Sequence, residues 1–175
     1  MKGGDEMGYS MEIYIFDEKK AKTLQKSEIP NENFIGEIKK LDGTKFIDVY
    51  EFNHFEYNYF FDSLEGAAQG KKPEGFSLLE SFLKTKPKTI YGMVVNEGEP
   101  LGIQNYVSSI QVKKEGSAAL KLLENLKLDK DDQHLFPEGD GNEAEVERYA
   151  SAKKKIVDAL HYALEKDYGL IVCTF

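Results

Sequence analysis

An α/β fold is what the sequence predicts: a single layered domain, a mixed β-sheet flanked by helices, with the C-terminal strand within the sheet. Three observations carry this reading. The chain ends in a long helical pattern, a glycine and the apolar run Leu170, Ile171, Val172, Cys173. Such an uninterrupted run marks a strand buried on both faces. β-rich runs alternate with 3.6-residue periodicities along the chain, the pattern of a sheet interleaved with helices. Finally, 175 residues with 41% apolar and 31% charged side chains suit one core with a solvated surface. Residues 1–10 are expected to form a flexible tail and residues 11–175 the domain.

The first strand is expected over residues 11–16, where Ile13, Tyr14 and Ile15 are β-formers. It stops at Asp17, a good N-cap for a short polar helix over residues 18–25. A second helix should follow Pro30 and Asn31, because Phe34, Ile38 and Leu41 share a face, and Asp42-Gly43 ends it. Residues 46–61 carry two periods. Ile47, Tyr50, His54, Tyr57 and Phe61 form a helical stripe, while Phe55, Tyr57, Tyr59 and Phe61 alternate as in a strand. Helix is the expectation, since sixteen residues is long for a strand.

Gly66, Gly70, Pro73 and Gly75 give residues 64–75 a loop composition. Ser77 then reads as the N-cap of a helix presenting Leu78, Leu79, Phe82 and Leu83. The β-rich runs 89–95 and 106–112 suggest a wide hairpin or adjacent strands. Ser117, after Gly116, is expected to cap a helix carrying Leu120, Leu123 and Leu126. In the last helix Asn142 and Glu145 stand in capping-box relation. Its stripe is Val146, Tyr149, Ala150, Ile156, Val157, Leu160, Ala163 and Leu164, and Gly169 ends it. Lys153 should snorkel over that stripe, with Lys154 and Lys155 on a solvated face.

A formal charge of −8 repels phosphate backbones and anionic headgroups, so neither nucleic acid nor membrane is an expected partner. No run approaches the ~20 apolar residues of a membrane span. The first ten residues lack the apolar centre of a secretory signal. A lone cysteine, Cys173, excludes an intramolecular disulfide and fits a reducing, cytoplasmic setting, where it reads as a buried, inert thiol.

Catalytic signatures fail on spacing. Gly66 to Lys72 has three residues between glycines where a phosphate-binding loop needs four, and Lys71 is followed by Lys72 rather than Ser or Thr. Asp129, Asp131, Asp132 and Asp140 resemble a calcium loop until His134, which stands where its glycine is needed. His54, His134 and His161 lack the paired spacing of a zinc site. No metal and no cofactor are expected. The candidate binding residues are Asp48, Tyr50, Glu51, His54 and Tyr57, in the aromatic segment where polar anchors border rings.

The order of features resembles the YfbM-like family of bacterial cytosolic proteins of unknown function. The resemblance rests on the opening strand, the 47–61 segment leading into Ser63, Leu64, Gly66, Ala67, Ala68 and Gly70, the Leu135-Phe136-Pro137 turn, and the ending with Tyr162, Ala163 and Gly169. It implies a layered helix and sheet domain and no catalytic residues. This chain departs from the family pattern in having no Trp and only a loose match over residues 98–106. The leading expectation is a non-catalytic binding or regulatory module that recognises a protein partner, of the immunity-like or stress-associated kind. The alternative is a small-molecule enzyme, a hydrolase using His54 and nearby carboxylates. Oligomeric state is not legible.

Overall fold

The computed structural model describes residues 9–24, 34–52, 71–83, 89–90, 93–94, 103–131 and 143–174. Strands β1 (Tyr9–Phe16), β2 (Lys45–Phe52), β5 (Ile103–Val107) and β6 (Gly169–Thr174) form an open sheet in the order β2-β1-β6-β5. Each of its three pairings is antiparallel. β3 (Thr89–Ile90) and β4 (Met93–Val94) pair separately. The helices are α1 (Glu18–Leu24), α2 (Phe34–Lys40), α3 (Phe76–Leu83), α4 (Ser109–Asn125) and α5 (Glu143–Lys166). The α/β reading holds, and the last strand lies inside the sheet between β1 and β5.

β1 and β6 are covered on both faces, which is why they tolerate so few polar residues. Met11, Ile13, Ile15, Val49, Leu170 and Val172 pack in one core with residues of α3, α4 and α5. The intervening Tyr14, Phe16, Ile171 and Cys173 pack in a second with Ala21 of α1 and Ile38 of α2. Strand alternation thus feeds two layers from one sheet.

Local chemistry explains the element ends. The Asp17 carboxylate accepts from Lys19 N at 2.9 Å, the expected cap of α1. Gly43 has φ +86°, as the turn after α2 requires, and a side chain there would strike Tyr168. Tyr162 OH donates to Gly43 O at 3.0 Å, so the aromatic end of α5 holds that turn against β2.

Several expectations are corrected. β1 starts at Tyr9, within the segment read as tail. α3 begins at Phe76, not after Ser77, because Gly75 adopts φ +85° and Phe76 N donates to Pro73 O to turn the chain first. The 106–112 run divides: β5 ends at Val107, and Ser108 caps α4 by accepting from Gln111 N at 3.2 Å. Ser117 is therefore an exposed mid-helix residue, and Gly116 lets Leu164 of α5 approach α4 closely. The 89–95 run folds back on itself, with Ile90 opposite Met93 and two residues between.

At the end of α5 the left-handed residue is Asp167 (φ +60°), with Tyr168 N donating to Ala163 O, so a Schellman turn ends the helix before Gly169 starts β6. Lys113 pairs with Asp167 at 2.9 Å. Lys153 snorkels as expected, its ammonium donating to Leu126 O at the C-terminus of α4.

Candidate functional site

The helix expected over residues 46–61 is overturned where the structure describes it: Lys45–Phe52 is the strand β2, paired with β1. Ile47 and Val49 turn to the α5 side, and Phe46 and Asp48 to the other face. A helical stripe through Ile47 would have placed Asp48 beside it. The pleat separates them.

On that second face the register sets Asp48 directly opposite Glu12, which in turn lies opposite Cys173 of β6. Two carboxylates so placed repel across the strands, a cost that this sheet carries without a core reason. Tyr14, one pleat further along β1, donates its hydroxyl to Glu12 Oε2. Its ring stacks on Phe46, with centroids 5.1 Å apart. From α2, the Lys39 ammonium lies 4.9 Å from the Tyr14 ring centre and 5.7 Å from that of Phe46. Phe46 itself is 49% exposed at the edge of the sheet.

Burial, then the hydrogen bond and the charge of Glu12, hold the Tyr14 hydroxyl far above its ordinary pKa. Burial pushes the Cys173 thiol up to about 12, with Glu12 adding to the rise and Lys39 opposing it. Both groups keep their protons at neutral pH, so neither is a nucleophile or general base there. The arrangement offers instead an aromatic and cationic edge backed by two acids. Among the described residues no group of three or more His, Cys, Asp or Glu could hold a metal ion.

Of the sequence-derived candidates, Asp48 belongs to this cluster, while Tyr50 and Glu51 follow it on β2. His54 and Tyr57, with the hydrolase alternative that needs His54, lie outside the described residues, as do His134, Asp132, Asp140 and the glycine-rich 64–70 segment. His161 is exposed on α5 and meets the Glu124 carboxylate at 3.2 Å. Sequence reasoning missed Glu12, Lys39 and Phe46 as companions of Asp48. The available signal was Glu12 itself, a charged residue inside an otherwise apolar strand. No helix among the described residues is long and apolar enough to cross a membrane. Comparison with known proteins found no matching family model, no matching curated protein and no matching solved structure.

Proposed function

We propose that this chain is a non-catalytic binding or regulatory module that recognises a protein partner. The observation that supports this is Phe46, a half-exposed aromatic at the sheet edge, stacked on Tyr14 beneath the Lys39 ammonium. Of these side chains it is the exposed aromatic ring that belongs to the types enriched where proteins meet; lysine does not. The acid surplus favours a basic partner. A cytoplasmic setting accords with the single buried thiol. The resemblance to the YfbM-like family belongs to the same reading and contributes no mechanism.

The test is retention of a partner from a lysate of the native host by immobilised full chain, compared among wild type, Phe46→Ser and Ile110→Ser. Ile110 is 77% exposed in the first turn of α4 and is the control for a generic apolar contact. A partner held by wild type and Ile110→Ser but released by Phe46→Ser is expected. Recovery of none, or equal recovery by all three, overturns the reading.

A further inference from the structure

At the junction of α4 and α5 a cleft of about 360 Å³ opens between Leu128, Asp129 and Lys130 on one side and Glu143, Val146 and Glu147 on the other. Its volume is at the small end of the range, roughly 300–1,000 Å³, in which ligand sites fall. Leu128 and Val146 are half-buried and packed against the main core, so the cleft has an apolar floor. Asp129, Glu143 and Glu147 are exposed around it. Glu143 and Glu147 stand one helical turn apart, where like charges repel. Among the described residues neither makes a hydrogen bond or an ion pair. The dipole of α5 makes acids tolerable in its first turns, but it does not account for the apolar recess beneath them.

The charge distribution along the sequence singles out the segment to which these carboxylates belong. Residues 129–147 hold eight of the 31 acids and one of the 23 bases, Lys130. They therefore carry −7 of the formal −8, and the rest of the chain is close to neutral at −1. The acid surplus is thus concentrated, along the sequence, in the stretch that supplies Asp129, Glu143 and Glu147 to the cleft.

We propose that the cleft receives a lysine or arginine side chain from a basic segment of the protein partner. The inference rests on the protein-binding reading above and names the chemistry of that partner. A long basic side chain fits both halves of the recess: its methylene stem lies over Leu128 and Val146, and its charged head meets the carboxylates of Asp129, Glu143 and Glu147. Among the residues that line the cleft, Lys130 is the cation that opposes it.

The probe is a fluorescein-labelled decapeptide of alternating Gly, Lys and Arg, titrated by anisotropy with the full chain at about 20 mM and about 150 mM salt. Wild type is expected to bind, more weakly at the higher salt. The triple variant Asp129→Asn, Glu143→Gln, Glu147→Gln should weaken binding about ten-fold or more. Glu74→Gln, Glu124→Gln, Glu165→Gln makes the same change of net charge on other exposed positions and should weaken it less than about two-fold. Lys130→Gln should tighten it. Absence of binding at low salt, or equal weakening by the two triples, overturns the proposal. So does spermine binding as tightly as the peptide with the same dependence on the first triple, which would make the cleft a site for small polycations. A partner captured in the lysate test but unaffected by the first triple would sink the cleft proposal while leaving the protein-binding reading intact.

Discussion

On one face of the sheet Met11, Ile13, Ile15, Val49, Leu170 and Val172 are fully buried in a core shared with α3, α4 and α5. On the other, Tyr14, Phe16, Ile171 and Cys173 share the surface with Glu12 and Asp48 beneath α1 and α2. Helix length separates the two cases. The 24 residues of α5 span about 36 Å, whereas the seven of α2 span about 10 Å and cannot roof four strands some 14 Å across. The long helices allow a continuous apolar layer on the first face. Among the described residues the short ones do not extend a continuous apolar layer over the β2 side of the second face, where carboxylates and a half-exposed ring persist. Stability is thus concentrated on the first face of the sheet, and the β2 edge of the second is free to carry the Phe46 contact.

The sharpest challenge to that division is Gly75→Ala, in the layer of the long helices. Gly75 combines φ +85° with a position where a β-carbon would lie 2.4 Å from Ala119 N. Backbone cannot yield as a flexible side chain can, so α3 would have to lift from α4. A loss of at least about 3 kcal/mol in urea unfolding is expected, joining left-handed strain to overpacking. A loss below about 1 kcal/mol would show that this layer is looser than its geometry implies. On the opposite face Tyr14→Phe keeps the ring and removes the donor to Glu12. A loss of about 1–2 kcal/mol is expected, and adding Glu12→Gln should recover part of it, because an amide tolerates a missing partner better than a carboxylate. Additive losses would mean that the pair is not coupled.

The two faces were also unequally legible. The ending was readable because its helix is strongly periodic and its apolar run is continuous, the run reflecting burial by α3, α4 and α5 on one face and by α1 and α2 on the other. β2 was not, because the aromatic run beyond His54 extends a helical period across a strand of only eight residues. Pairing with β1 fixed its pleat, and pairing is invisible in one segment taken alone. The start of α4 was legible in principle, since Ser108 and Gln111 have the spacing of a capping box, but Gly116 was taken for a boundary. That glycine answers to Leu164 on another helix, a tertiary demand with no local trace. The candidate site was legible at Asp48 alone, because its companions come from β1 and α2 and meet it only through sheet register.

Alkaline unfolding sharpens the comparison further, because the two most perturbed groups both lie on the second face. Cys173 ordinarily titrates near 9.0 and is held up to about 12. Tyr14 ordinarily titrates near 10.0 and is also raised. Above these ordinary values the unfolded chain has released protons that the folded chain still holds, so stability falls as pH rises; below about pH 9 neither group contributes to the slope. Each group adds about 1.4 kcal/mol per pH unit where it alone differs between states. Cys173→Ala should remove one such increment between about pH 10 and 12, leaving Tyr14 to supply the other. An unchanged slope would mean that the thiol is accessible to solvent in the fold.

The smallest expected effect concerns the residue on which the binding reading depends. Phe46 keeps half of its surface in water and is held by one stacked ring and one ammonium, so Phe46→Ser forfeits little burial. Its unfolding midpoint should correspond to a loss of less than about 1 kcal/mol, well short of the cost at Gly75. A larger loss would mean that the ring belongs to the core beneath it, and release of a partner by this variant would then report unfolding rather than a broken contact. With a small loss, the same release assigns the ring to recognition, since a fold that keeps its stability without Phe46 has no structural need to expose an aromatic side chain there.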